Sequence, residues 1–127
     1  MNLKIDEWTE EIITQKYLEE ATEKLKDTEL KYKSLILCDK NFKEQMFKFL
    51  CSFLENLEFL EEFIFERNSC NTQMIDELIH SINIKINNSL KRLSLSGNII
   101  SEDQLKTLIQ GFKPKSSLYE LYLSKLK

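Results

Sequence analysis

Residues 90–100 read LKRLSLSGNII. Apolar side chains fall at 90, 93, 95 and 100, and an asparagine sits at 98. Leu93 and Leu95 are two residues apart, so a strand here points both to one face while Ser94 points to the other. The same spacing recurs upstream at residues 60–70, LEEFIFERNSC. It recurs again from Tyr32, with Leu35, Leu37 and Phe42, and opens a last time at Leu118, with Leu121 and Leu123. The starts at 32, 60, 90 and 118 are separated by 28, 30 and 28 residues.

The second half of each unit keeps the same register. Phe47, Leu50, Cys51 and Leu54 correspond to Ile75, Leu78, Ile79 and Ile82, and then to Leu105, Leu108, Ile109 and Phe112. That spacing is one apolar stripe of a helix. Ser101 followed by Gln104 is a capping-box pattern, and Asn71 holds the position equivalent to Ser101. The first copy departs, with Lys43 there. Pro114 marks a stop after the third helix. Each unit is therefore a short strand followed by a helix, and the fold class is α/β. A plain helical bundle would suit the Glu- and Lys-rich helices but leaves the recurring LxxLxL strands without a reason.

This pattern resembles the leucine-rich repeat, in the ribonuclease-inhibitor-like class with units of about 28 residues. The resemblance implies a solenoid with short parallel strands on a concave face and helices on a convex face. Asn68 and Asn98 fill the family's asparagine position, which implies side chains bonded to backbone groups between adjacent turns. The first copy has Lys40 there, with Asn41 beside it. Repeats are expected over 32–127. Residues 1–31 are expected to form a degenerate N-terminal capping unit, with a short edge strand and a helix over about 12–26. In that unit Leu3, Trp8, Ile13, Leu18, Ala21 and Leu25 fit a register starting at 3, but Asp6 occupies an expected leucine site. The other reading of this segment is an unrelated amphipathic helix packed on the first repeat.

Strand residues between the buried positions line the concave face. The predicted partner-binding set is Ile36, Glu62, Ile64, Arg92, Ser94, Glu120 and Tyr122. The middle column, Ile36, Ile64, Ser94 and Tyr122, is an apolar stripe with a charged rim, which suits a protein-binding surface. Isoleucine also simply suits a strand. Glu61, Glu62 and Glu66 crowd one strand and are expected to form a solvated acidic patch that prefers a basic partner.

Composition narrows the function. Lys+Arg is 18 and Asp+Glu is 21, a net charge of −3, which argues against nucleic-acid binding. No apolar run approaches the roughly 18 residues that span a bilayer, so no membrane role is expected. Two glycines make no phosphate-cradling loop, and one histidine makes no paired-histidine metal site. No cofactor and no metal are expected. Cys38 and His80 are the only thiol–imidazole combination, and the repeat places them on opposite sides of the fold. Cys51 and Cys70 fall at core positions. Three cysteines without CxxC or a secretion signal suggest reduced thiols and a cytoplasmic setting. Lysine far outnumbers arginine, a bias that suggests an AT-rich genome.

The expected function is a non-enzymatic protein–protein interaction module, such as a bacterial effector (acting in a host cytosol) or a protist protein. The alternative is a substrate-recognition adaptor of a multi-subunit enzyme such as a ubiquitin ligase. The last strand has no helix after it within the sequence. The expectation is therefore either self-association through this C-terminal edge or a chain that is a fragment of a longer solenoid.

Overall fold

The computed structural model describes residues 2–4, 33–39, 41–57, 59–84, 86, 89–112 and 120–123. Strand β1 is Asn2–Lys4 and β2 is Ser34–Cys38. Helix α1, Glu44–Glu55, follows, then β3, Glu62–Glu66, and α2, Thr72–Ile84. Strand β4, Arg92–Ser94, α3, Glu102–Gly111, and β5, Glu120–Tyr122, complete the order. The strands form one parallel sheet in chain order, β1-β2-β3-β4-β5. Parallel neighbours need a long crossover, and a helix fills each crossover from β2 to β5.

The register follows the sequence spacing. Leu35 pairs with Phe63, 28 residues on, Phe63 with Leu93, 30 on, and Leu93 with Leu121, 28 on. Burial alternates along β2 and β3, with one side chain buried and the next half-buried. The buried set joins the helix stripe in one core. Its aromatic centre is Phe42 stacked on Phe65 at 5.7 Å, with Phe47 and Phe63 edge-on or tilted to Phe65 at 6.5 and 5.8 Å. Such contacts add about 0.5–1.5 kcal/mol per pair beyond burial itself.

The helix starts differ as their sequences do. At α3, Ser101 Oγ accepts from the Gln104 N–H (3.1 Å), and Gln104 Oε1 accepts from the Ser101 N–H (2.9 Å). At α2, Asn71 Oδ1 accepts from the Met74 N–H at 2.8 Å. Lys43 offers α1 no side-chain cap, and Glu44 in its first turn answers the helix dipole instead.

Asparagines tie the turns together. Asn98 Nδ2 donates to the carbonyls of Phe65 (2.6 Å) and Leu95 (2.9 Å), and its Oδ1 accepts from the Asn68 N–H (3.0 Å). Asn68 Nδ2 donates to the Leu37 carbonyl at 3.1 Å. Both side chains are buried. Each therefore satisfies backbone groups of the preceding turn that could not reach water.

Two expectations are corrected. Leu3 pairs with Leu35, so the first strand lies three residues earlier than a register starting at 3. Counted from that pairing, Asp6 no longer falls on a leucine position of the repeat. The predicted helix over 12–26 lies outside the described residues, as do Tyr32 and Leu118. The second correction is Ile109, which is 53% exposed, whereas its equivalents Cys51 and Ile79 are 7% and 3% exposed. Leu105 and Phe112 are only partly buried. In α1 and α2 this flank packs on the next helix. Among the described residues no helix follows α3.

Candidate interaction surface

Strand alternation puts two sets of side chains on the two sides of the sheet. One set is the core beneath the helices. The other lies on the open face, and its rows run across the strands because every strand is in register. The first row is Ser34, Glu62, Arg92 and Glu120, the next Ile36, Ile64, Ser94 and Tyr122, the third Cys38 and Glu66.

The first row is one continuous polar chain. Ser34 Oγ donates to Glu62 Oε1 (2.9 Å), and Arg92 pairs with Glu62 at 3.4 Å and with Glu120 at 3.2 Å. The Tyr122 hydroxyl donates to Glu120 at 2.7 Å. Beside it, Lys91 donates to Glu61 at 2.8 Å. That hydrogen bond, with the ammonium charge itself, holds the Glu61 carboxyl below its ordinary value. At the far side Arg67 forks onto Asp39 through Nε (2.9 Å) and Nη2 (3.2 Å) and lies 3.6 Å from Glu66. The Asp39 bonds raise the Arg67 pKa further.

Asp39, Arg67 and Gly97 occupy the same repeat position, and all three have positive φ. At Gly97 a methyl group would sit 2.5 Å from Cγ of Arg67. Glycine here therefore permits both the left-handed turn and the path of the Arg67 stem.

This geometry corrects two expectations. Glu61, Glu62 and Glu66 are not a free acidic patch awaiting a basic partner, because Lys91, Arg92 and Arg67 already pair with them. The carboxylates and cations alternate between neighbouring strands at the distance where opposite charges attract. Ser94 lies in the expected row but is 1% exposed. Its hydroxyl donates to Glu66, and Ser96 beside it is buried too. Ser94 therefore offers little direct contact to a partner. An aspartate there would stand against the Glu66 carboxylate, so the position is not a silent one.

Of the other predicted residues, Ile36 and Ile64 are half-buried neighbours, Glu62 and Glu120 are half-buried, and Arg92 and Tyr122 are exposed. The apolar stripe is thus split into an isoleucine pair on one side of Ser94 and a tyrosine on the other. Sequence reading missed this interruption. It also missed Ile99, 58% exposed in the turn after β4. No periodic signal marks that position.

Cys51 and His80 line a common cleft of about 360 Å³ with Lys48, Glu55, Asp76, Glu77 and Ser81. Cys38 is on β2, while His80 is on α2 in a cleft of about 300 Å³ shared with Asp76, Asn83, Asp103, Gln104 and Thr107. Burial pushes the Cys51 thiol up to about 11 and the Cys70 thiol up to about 12. Cys38 is raised as well, by burial first and by Glu66 second. A thiol with a raised pKa is a poor nucleophile at neutral pH. Among the described residues no group of three or more His, Cys, Asp or Glu could hold a metal ion. No helix among them is long and apolar enough to cross a membrane. No family model, no curated protein and no solved structure matches this chain.

The thiols give a first expected result. In the native protein at neutral pH, an aromatic disulfide reagent should label Cys51 and Cys70 far more slowly than the same chain in denaturant. The fold favours their neutral form, so this contribution to stability is complete below about pH 9, the ordinary thiol value, and drains as pH rises through about 11–12. Denaturant melts from pH 8 to 11 should show that decline. In a Cys51→Ala, Cys70→Ala chain the decline should be shallower.

Proposed function

We propose that the chain is a leucine-rich-repeat solenoid and works as a non-enzymatic protein–protein interaction module. The repeat reading is supported by strand partners one repeat apart and by Asn68 and Asn98 in equivalent bonds. The functional reading rests on the open sheet face. There Ile36, Ile64 and Tyr122 stand beside an ion-pair row in which Arg92 is shared by Glu62 and Glu120. The row keeps one negative charge in excess, so a partner that covers this face must bring a cation or a hydrogen-bond donor to it. Binding energy comes from the isoleucine pair and the tyrosine, while the ion-pair row fixes orientation. A cytoplasmic or host-cytosol setting fits three free cysteines.

The adaptor reading uses the same face and differs only in the partner. Affinity capture from cell lysate separates the two readings, since ligase subunits among the bound proteins would favour the adaptor. The face itself is tested by substitution. Ile64→Ala with Tyr122→Ala should weaken binding of a captured partner at least about tenfold, with little change in melting temperature. Lys106→Ala with Gln110→Ala, both exposed on α3, should leave binding unchanged. If the helix pair abolishes binding and the strand pair does not, the working face is the helical one.

A further inference from the structure

Charge on the open face is unevenly spread. In the first row Arg92 lies 3.4 Å from Glu62 and 3.2 Å from Glu120. The other side-chain contacts of these two carboxylates are hydroxyls, Ser34 at 2.9 Å on Glu62 and Tyr122 at 2.7 Å on Glu120. A hydroxyl satisfies a carboxylate oxygen but leaves the charge in place. Two carboxylates that share one guanidinium therefore keep one negative charge. The strand starts have the opposite balance, since Lys91 bonds Glu61 at 2.8 Å and Lys33 acts on the same carboxylate. β1 places Lys4 in register with Ile36, two strands from Glu62 and four from Glu120. At about 4.8 Å per strand that is roughly 10 and 19 Å away, so the excess stays on the side of β3 to β5. On the far side of the isoleucines, Glu66 accepts the Ser94 hydroxyl, and its nearest cation, Arg67 at 3.6 Å, is forked onto Asp39. Ile64 thus stands between Glu62 and Glu66 on one strand, with Ile36 beside it.

Water offsets that excess on the free protein. A partner that covers the face removes the water, at a cost unless it supplies the opposite charge. A phosphate backbone or an acidic surface would add to the excess instead. Successive rows are two residues apart along a strand, or about 7 Å. We infer that the partner is a basic protein segment in which a lysine or arginine stands about 7 Å from an apolar side chain, the cation over Glu62 and Glu120 and the apolar group on Ile64 and Ile36. Such a pair is i and i+2 of an extended segment, or i and i+4 of a helix, which rises about 6 Å over four residues. Lys33 and Lys91 repel the cation, so it seats on the isoleucine side of its row. The cation adds a sign and a spacing to the display reading above, on which it rests.

The probe is a library of random peptides of about 12 residues, long enough when extended to cross the sheet, selected on the whole chain. Selected peptides should carry Lys or Arg two or four residues from an apolar residue. A synthetic copy of one should bind less tightly as salt rises. Glu62→Gln and Glu120→Gln each leave the row neutral and should weaken that peptide at least about threefold, the scale of one partly exposed ion pair. Arg92→Gln leaves two carboxylates without their shared cation and should tighten it by a similar factor. Damage to the fold does not tighten binding, and circular dichroism checks that each variant is folded. An Arg92→Gln chain that binds as weakly as Glu62→Gln overturns the inference. So does a selection that returns acidic peptides, uncharged peptides or none. Ile64→Ala with Tyr122→Ala separates this from the display reading. If that pair releases a peptide that ignores Glu62→Gln and Arg92→Gln, the face works by display and only the charge inference falls. If the pair leaves the peptide bound, the display reading falls and this inference with it.

Discussion

Leu95→Asp is expected to abolish the native fold. Leu95 is fully buried in the single core, and its N–H is committed to the Tyr122 carbonyl. Losing the buried leucine alone costs about 2–5 kcal/mol. The carboxylate must then either stay ionised without a partner or take up a proton, and either choice adds several kcal/mol. Domains of this size have roughly 5–15 kcal/mol in total. The sum consumes most or all of it. Circular dichroism and a denaturant melt should show a chain without a cooperative transition. Ile99→Asp is the control. It introduces the same carboxylate four residues later on an exposed side chain and should shift stability by about 0.5 kcal/mol or less. A cooperative melt for Leu95→Asp, equal to that of Ile99→Asp, would mean that residue 95 does not face the core.

Buried positions were the most legible part of this sequence. Leu35, Leu37, Phe63, Phe65, Leu93 and Leu95 recur two residues apart in each unit, and a strand puts such pairs on one face. The role of Asn98 came from the resemblance, which implied side-chain bonds to backbone groups, and its bonds to the Phe65 and Leu95 carbonyls are of that kind. The face was less legible. Sequence order says that Glu62 and Arg92 share a row, but whether they meet a partner or each other depends on side-chain reach across neighbouring strands. The same reach covers Ser94, a small residue beneath the Glu66 carboxylate, where simple alternation predicts exposure. The first strand was misread because the apolar count of the degenerate first unit favours a register starting at 3, with Leu3, Trp8, Ile13, Leu18, Ala21 and Leu25 in place. The pairing of Leu3 with Leu35 overrides that count. Ile109 illustrates a different limit. Its periodic position matches Cys51 and Ile79, but burial needs a neighbour as well as a position.

Asn98→Ala should destabilise the protein by about 2–4 kcal/mol, because it strands several buried backbone groups at once. The Phe65 carbonyl and the Asn68 N–H lose their side-chain partner, and the Leu95 carbonyl loses one bond. A denaturant melt measures this directly. Alanine also leaves a small void, so the loss alone does not separate hydrogen bonding from packing. Asn98→Asp does. The aspartate is nearly the same size and keeps an acceptor for Asn68, but when ionised it sets an oxygen against two carbonyls. Only its protonated form can donate to one of them. The fold therefore raises the pKa of the introduced carboxyl above its ordinary value of about 3.9. Whatever stability the protonated side chain contributes is complete below that value and is lost as pH rises through the folded pKa. Asn98→Asp should accordingly be most stable relative to the parent near pH 4 and fall behind it toward pH 7. The parent-to-Asn98→Ala gap should change little over the same window. If the Asn98→Asp gap is flat with pH, the side chain at 98 is a packing element, and the bonds to Phe65 and Leu95 contribute little.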